Sequence, residues 1–142
     1  STLEAIGPFE ERFFMYCEDV DLNWRAQLAG FPCIYAPRAV IYHRLSATGG
    51  GRLASYYVGR NTLWVLARNC PSRLLRRYGR SILAAQWATT RDALRAWRGE
   101  AARARLRGQL VGFLTWTRWL RARRHIQGAR RVTDEYIESI LE

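Results

Sequence analysis

Beyond residue 51 the sequence contains a single proline, Pro71, and its apolar residues recur at the three- and four-residue spacing of a helix. Pro71 and Gly99 divide this region, because proline and glycine end helices. The pattern predicts three long helices, over residues 53–69, 72–98 and 101–124. Thr133 is predicted to cap a further, short acidic helix. Residues 52–142 are therefore predicted to be an arginine-rich, mostly α-helical C-terminal extension.

Residues 1–51 are predicted to have α/β structure. A helix capped by Asp19 is expected to run to about Ala29, where Gly30 ends it. Val20, Trp24 and Leu28, one turn apart, are predicted to form its buried face. Two runs rich in β-branched and aromatic residues, at 33–35 and 39–43, predict two short strands separated by Pro37. A glycine-rich loop at 46–51 leads into the extension.

The charge is strongly positive and unevenly distributed. The formal net charge is +11, yet residues 1–21 carry six acids and one arginine, a net charge of −5. Residues 22–142 carry 22 arginines and six acids, a net charge of +16, and the sequence contains no lysine. The planar guanidinium of arginine matches phosphate oxygens and stacks on aromatic rings. Anionic partners are therefore expected: nucleotide diphosphates, anionic lipid surfaces or nucleic acid.

The cysteines are Cys17, Cys33 and Cys70, a widely spaced and odd-numbered set that fits neither a disulfide framework nor a zinc site. Buried free thiols are typical of a reducing cytoplasm. No run of about 18 apolar residues is present, so no membrane-spanning helix is predicted. Residues 1–6 resemble the end of a helix, and we therefore expect a C-terminal part of a longer protein, located in the cytoplasm.

Three carboxylates, Glu18, Asp19 and Asp21, lie within four positions directly after an aromatic run. Carboxylates this close repel one another. At the start of a helix a carboxylate stays ionised and can act as a general base toward a hydroxyl. The alternative is that Asp19 only caps the helix and its neighbours are solvated acids. The spacing alone leaves both interpretations open.

Two further positions have a functional and a structural interpretation. His43, at the end of the second predicted strand, is either a metal ligand or a packed, hydrogen-bonded residue. The pair Arg60-Asn61 lies in an aromatic helix, where the arginine either pairs with a phosphate or neutralises the acidic cluster. His125, in a basic helix, is interpreted as a surface residue.

Several segments together resemble the C-terminal portion of family 2 bacterial glycosyltransferases of the rhamnosyltransferase-like kind. The resemblance runs through GPFEERFFMYCEDVDL at 7–22 and through 25–26, 30–31, 35–37 and 39–43. Such enzymes have a GT-A fold, a nucleotide-binding α/β domain. The resemblance implies that Asp19 is the catalytic base, with Glu18 beside it in the catalytic motif. It also implies that His43 helps to hold a divalent cation, Mg²⁺ or Mn²⁺.

The reaction implied by the resemblance is inverting glycosyl transfer in cell-surface polysaccharide or glycolipid synthesis. A nucleotide-diphosphate sugar is the donor, and a hydroxyl of a saccharide or a lipid-linked molecule is the acceptor. Candidate substrate-binding residues are Asp21, Trp24, Arg60 and Asn61. The family also has an upstream nucleotide-binding half with an Asp-x-Asp-like motif, and this sequence has no such pair outside the acidic cluster. We therefore expect the 142-residue chain to be inactive alone.

Interpretations without catalysis compete with this one. Basic amphipathic helices with tryptophan are typical of peripheral binding to an anionic membrane, here the inner face of the plasma membrane, and equally of a cytosolic bundle with a solvated basic face. Aromatic residues interleaved with arginine also occur in nucleic-acid-binding modules. Nucleic acid is disfavoured, since no recognition motif is present and the acidic cluster would have no role. A scaffold or interaction fragment is a third alternative.

Overall fold

The computed structural model describes residues 1–42 and 50–141. This part of the chain forms seven α-helices: α1 (Thr2–Ile6), α2 (Glu18–Leu28), α3 (Arg52–Asn69), α4 (Ser72–Arg95), α5 (Glu100–Thr115), α6 (Leu120–Gly128) and α7 (Asp134–Ser139). Two short 3₁₀ helices, Glu11–Phe13 and Trp116–Trp119, lie before α2 and α6 respectively. None of these helices is long and apolar enough to cross a membrane.

The structure contradicts the predicted α/β organisation of residues 1–51. Helices make up 72% of the described residues, and none of these residues forms a strand. The segment 32–42 is irregular, and Ile34, Tyr35 and Tyr42 are 85%, 87% and 96% exposed. A strand needs a neighbour that supplies hydrogen bonds and a buried face, and no described segment pairs with this one. The predicted α/β part with two short strands is therefore wrong. His43 and residues 46–49 lie outside the described residues.

The long helices of the extension follow the prediction, with one interruption. Helix α3 ends at Asn69, before Pro71, as expected, but the helix predicted over 101–124 is broken by the 3₁₀ turn at Trp116–Trp119. The tighter winding of a 3₁₀ turn shifts the direction in which the following side chains point. Trp119 is thereby buried, only 1% exposed, whereas Phe113 on α5 is 68% exposed. Burial of this one indole explains the break.

Helices α3 and α5 run parallel and approach closely at glycines. A Cβ atom added to Gly108 would lie 2.1 Å from the carbonyl oxygen of Tyr56, and one added to Gly112 would lie 2.8 Å from that of Arg60. Gly59 on α3 is equally close to the backbone of α5. Only a residue without a side chain allows backbones to meet at such distances. This glycine contact brings the N-terminal ends of both helices to the same end of the protein.

The buried apolar side chains form two clusters. The first cluster joins the two 3₁₀ helices to α3 and contains Phe13, Trp64, Val65 and Trp119. The second joins α2, the start of α4 and α7, and it contains Leu28, Cys70, Leu74 and Ile137. Trp24, half-buried on α2, packs against both clusters. Together they hold the N-terminal segment against the helical extension.

The three cysteines are free, as predicted, but they differ in burial. Cys70 is buried, Cys17 is half-buried and Cys33 is exposed. Burial raises the pKa of the Cys70 thiol to about 11, so this thiol stays protonated and packs as a small apolar side chain. The expectation of buried thiols is therefore confirmed for Cys70 and wrong for Cys33.

Candidate functional site

The turn before the acidic cluster has an unusual backbone. Phe14, Tyr16 and Cys17 have φ angles of 64°, 63° and 69°, in the left-handed region that residues other than glycine rarely adopt. Such conformations cost free energy and persist only when the surrounding structure imposes them. They reverse the chain between the 3₁₀ helix Glu11–Phe13 and the start of α2. The turn thus places Glu18 and Asp19 in the first turn of α2.

Asn61 on α3 holds this turn in place. Its side chain is fully buried, and its Nδ2 donates to the carbonyl oxygens of Phe13, Met15 and Tyr16 at 3.0, 2.8 and 2.7 Å. Its Oδ1 accepts a hydrogen bond of 2.9 Å from Nε of Arg60. A single amide therefore satisfies backbone groups of a turn that lies 45 to 48 residues away in sequence.

Arg60 supports the same turn from the other side. Its guanidinium donates to the carbonyl oxygens of Arg12 and Phe13, at 2.9 and 3.0 Å, and stacks on the ring of Trp64 at 4.0 Å. Burial lowers the pKa of this guanidinium from its ordinary value. Arg60 and Asn61 thus position the turn. Their predicted contact with substrate stays a prediction.

Asp19 is exposed at the start of α2. The expectation that it caps the helix is wrong, because Cys17 occupies the capping position and α2 begins at Glu18. The Oδ1 atom of Asp19 accepts from the backbone N–H of Val20 at 2.8 Å, which leaves its other oxygen without a hydrogen bond to a described residue. A solvent-facing, ionised carboxylate is the form that a general base needs.

Glu18, directly before Asp19, is half-buried, and its Oε2 atom is buried without any hydrogen-bond partner in the described chain. An orphaned carboxylate oxygen is costly unless a cation or a donor completes it. Among residues 1–42 and 50–141 no three His, Cys, Asp or Glu side chains are placed to hold a metal ion. Glu18 therefore fits a cation ligand, but the described residues alone do not make a metal site. The predicted ligand His43 lies outside them.

Asp21 is the buried acid of the cluster. Its carboxylate has no exposed surface, and it forms ion pairs with Nε of Arg25 at 2.8 Å and Nε of Arg68 at 3.2 Å. Nδ2 of Asn69 donates to it at 2.8 Å. Arg25 in turn donates to the carbonyl oxygens that follow α1, including that of Pro8 at 2.9 Å. Asp21 therefore joins α1, α2 and α3 through one polar network, which is a structural task.

The buried face of α2 differs from the predicted one. Val20 is 47% exposed, whereas Asp21, Arg25 and Leu28 are buried. Trp24 lies beside this face, and its Nε1 is buried without a partner in the described chain. Its packing against both apolar clusters matches the helix-packing interpretation. A contact between Trp24 and substrate stays a prediction.

Sequence reasoning missed Glu10, Arg68 and Asn69. Arg68 pairs with Glu10 at 2.6 Å as well as with Asp21. The carboxylate of Glu10 thus accepts hydrogen bonds from two cations, Arg12 and Arg68, which oppose the effect of burial on its pKa. Burial alone would raise the pKa of the Glu10 carboxyl, but these bonds lower it overall. One signal was available: Asn61 and Arg68 lie seven residues apart, on the same side of α3 as buried Val65.

Part of this chain is similar to a known rhamnosyltransferase. A segment of 50 residues is 46% identical to an N-acetylglucosaminyl-diphospho-decaprenol L-rhamnosyltransferase of Mycobacterium tuberculosis, in strain CDC 1551 / Oshkosh and in strain ATCC 25618 / H37Rv. The match covers 34% of this chain and only 16% of the length of each relative. No protein-family model matches the chain, and no solved structure does.

Proposed function

We propose that this chain contributes the catalytic base to a glycosyltransferase that transfers a sugar, with inversion, from a nucleotide-diphosphate donor to an acceptor hydroxyl. The observation that carries the proposal is the contrast between neighbouring acids. Asp21 is fully buried and paired with arginines, whereas Asp19 is exposed and only one of its carboxylate oxygens accepts a hydrogen bond from a described residue. The partial similarity to a rhamnosyltransferase supports the same class. A polyprenyl-diphosphate-linked sugar is the proposed acceptor, by analogy with the relatives' name.

The proposed step needs one proton transfer and one substitution. Asp19 takes the proton of the acceptor hydroxyl while that oxygen forms a bond to the anomeric carbon. The bond between the anomeric carbon and the diphosphate breaks, and the diphosphate departs with the electron pair. The hydrogen bonds of Asn61 and Arg60 hold the turn, and hence Asp19, in a fixed position. Such positioning is a large part of catalysis in general.

A divalent cation, Mg²⁺ or Mn²⁺, is part of the proposal. We propose that His43 and the orphaned oxygen of Glu18 would hold it. When bound, the cation would neutralise the charge of the leaving diphosphate. The nucleotide-binding half of such an enzyme is proposed to lie outside these 142 residues.

The decisive experiment is Asp19→Asn in the full product of the reading frame that encodes these residues. Transfer from a nucleotide-diphosphate rhamnose to a polyprenyl-diphosphate-linked N-acetylglucosamine is followed with radiolabelled donor. The variant should lose at least about a hundredfold in kcat, the usual contribution of a general base, without loss of stability. Asp92→Asn, an exposed acid on α4, is the matched control and should keep full activity. Undiminished turnover of Asp19→Asn would refute the base assignment.

Peripheral binding to an anionic membrane at the inner face of the plasma membrane is also proposed. Large apolar side chains are exposed on α4, directly after it and on α5, among many arginines: Leu83, Trp87, Leu94, Trp97, Leu110, Phe113 and Leu114. Exposed patches of this kind mark interaction surfaces, and tryptophan with arginine suits the lipid headgroup region. An anionic lipid surface complements the positive charge of the extension.

Co-sedimentation with phosphatidylglycerol and phosphatidylcholine vesicles tests this surface. We expect binding to the anionic vesicles, weaker at high salt, and its loss in the double variant Trp87→Ser/Phe113→Ser. Tyr35→Ser, which removes an even more exposed ring from segment 32–42, should bind as the unmodified protein does. Absence of binding to phosphatidylglycerol vesicles at low salt would exclude the membrane proposal. Preferential binding to single-stranded RNA in the same buffer would instead favour the nucleic-acid alternative.

A further inference from the structure

A cleft of about 470 Å³ opens between the first turns of α3 and α5. Its lining combines cations, aromatic rings and one acid: Arg52, Tyr56, Tyr57, Glu100, Arg103 and Arg107. None of these residues belongs to the acidic cluster. We propose that this cleft binds the diphosphate group of an organic diphosphate ester. A nucleotide-sugar donor and a lipid-linked acceptor share this chemistry.

The charge of the cleft matches such a group. The side chains of Arg52, Arg103 and Arg107 carry three positive charges and that of Glu100 one negative charge, which leaves an excess of two positive charges. A diphosphate that is esterified at both ends carries two negative charges. Guanidinium groups bind phosphate oxygens through paired, charge-assisted hydrogen bonds. A cleft of this size also leaves room for part of the organic substituent.

The arginines are available for a ligand. The guanidinium groups of Arg52 and Arg107 form no hydrogen bond or ion pair with any residue of 1–42 or 50–141, although an acid, Glu100, lies in the same cleft. Arg103 is anchored instead, because its guanidinium donates to the carbonyl oxygens of Trp97 and Arg98 at 3.3 and 2.6 Å. With respect to the described residues, the cleft thus contains one anchored guanidinium and two unpaired ones. A cluster of like charges that exceeds its counterions is expected where an anion binds.

The N-terminal ends of α3 and α5 also favour an anion in the cleft. The parallel arrangement of α3 and α5 brings both of their N-terminal turns to this cleft, and each helix starts after a glycine that offers no capping side chain, Gly51 and Gly99. The first N–H groups of both helices therefore receive no capping hydrogen bond from these two residues. The positive ends of two helix dipoles point toward the region that the arginines line.

The cleft lies close to the segment that carries Asp19. Tyr57 lines the cleft, and its ring also packs on Phe14 with 5.3 Å between the ring centroids. Phe14 belongs to the turn that precedes Asp19. A diphosphate ester bound at the cleft could thus extend along α3 toward the proposed base. Only this last step, the use of the bound ester in transfer, rests on the proposed function.

Direct binding to the 142-residue chain tests the cleft independently of turnover. Isothermal titration with inorganic pyrophosphate at low salt should show one saturable site. Arg52→Gln/Arg107→Gln should weaken binding at least about tenfold, since one hydrogen bond to a charged group is worth roughly that factor. The matched control Arg121→Gln/Arg124→Gln removes the same charge from exposed positions on α6 and should change affinity less than about threefold. Glu100→Gln should tighten the binding of pyrophosphate, because it removes a negative charge that repels the anion.

The remaining arms identify the source of the diphosphate. Uridine diphosphate and farnesyl diphosphate are titrated separately, and the tighter of the two assigns the cleft to the nucleotide or to the prenyl ester. Asp19→Asn should bind pyrophosphate as the unmodified protein does, so a failed transfer assay leaves this result intact. Equal losses in the two double variants, or no saturable binding at all, would overturn the proposal. So would a short single-stranded oligonucleotide that binds the cleft more tightly than every diphosphate.

Discussion

Helix α3 contacts the N-terminal segment with one side and α5 with another, and the two contacts differ in kind. Toward the N-terminal segment it presents Asn61, Arg68 and Asn69, whose hydrogen bonds and ion pairs are directional. Toward α5 the contact depends on the absence of side chains at Gly59, Gly108 and Gly112. The polar side determines the exact position of a turn, whereas the glycine side determines only the distance between two helices.

This difference separates two tasks within one helix. A strained turn needs many specific donors, because each left-handed residue must be held against its own preference. Two helices that pack together need only a short distance between their backbones, so that van der Waals contacts form. We therefore expect substitutions on the glycine side to affect the whole fold. On the polar side we expect them to affect the N-terminal segment most.

The largest effect is expected at the glycine contact. Gly108→Ala places a Cβ atom 2.1 Å from the carbonyl oxygen of Tyr56, so α3 and α5 must separate. The unfolding free energy should fall by about 4 kcal/mol or more, measured by urea denaturation with circular dichroism at 222 nm. Gly79→Ala on α4, where nothing lies within 4 Å, should instead stabilise by about 0.5–1 kcal/mol. Similar effects of both substitutions would contradict the close contact.

The next largest effect is expected at the buried acid. Asp21→Ala leaves Arg25 buried without its acidic partner and leaves Arg68 paired with Glu10 alone, which should cost about 3–5 kcal/mol of unfolding free energy. Asp19→Ala, two positions earlier and exposed, should change it by less than about 0.5 kcal/mol. Guanidinium denaturation of both variants measures the difference. A comparable loss in the two would mean that burial does not distinguish these acids.

A smaller, local effect is expected at the turn. Asn61→Ala removes the donor for three carbonyl groups, so stability should fall by about 2–3 kcal/mol. The released turn should also become a substrate for chymotrypsin, with faster cleavage after Phe14 or Tyr16 in limited proteolysis. Asn23→Ala on the exposed side of α2 is the control, and its cleavage rate should not change. An unchanged cleavage rate in Asn61→Ala would show that the turn keeps its conformation without the hydrogen bonds from Asn61.

The smallest effect on stability is expected from lowering the pH, through the carboxyl group of Glu10. The pKa of the Glu10 carboxyl is lowered in the folded state from 4.5, so its ion pairs stabilise the protein above pH 4.5. This contribution disappears as the pH falls below 4.5 through the folded pKa. Glu10→Gln should flatten the loss of stability below pH 4.5 in thermal melts. Glu11→Gln, an exposed neighbour, should keep the slope of the unmodified protein. A Glu10→Gln profile with that same slope would argue against these ion pairs.

The helices were largely predictable from local pattern, because their causes are local. Pro71 ends α3, and Thr133 caps α7 by accepting from the backbone N–H of Tyr136. The break at Trp116–Trp119 was not predictable, since it depends on where Phe13 lies. The prediction of two strands in segment 32–42 failed for the same reason. The alternation of side chains there is a local pattern, whereas a strand also needs a partner strand from elsewhere in the chain.

The acidic cluster was predictable as a site candidate but not in its division of roles. Sequence spacing treats Asp19 and Asp21 alike, as two carboxylates in one helical turn. Their difference comes from Arg68 and Asn69, which lie more than 40 residues away in sequence and approach only after α3 packs on α2. A buried counterion is a tertiary property, and no local pattern contains it.

The tryptophan pair in the first apolar cluster has an experimental consequence. The rings of Trp64 and Trp119 lie 5.2 Å apart, and Trp119 is covered by the ring of Phe13 and the guanidinium of Arg12. Electronic transitions of two indoles at this distance couple, and their near-ultraviolet signal depends on mutual orientation. Detachment of the segment that leads to Asp19 would uncover one indole and change the signal. The protein therefore contains its own optical reporter of the proposed catalytic turn, without any added label.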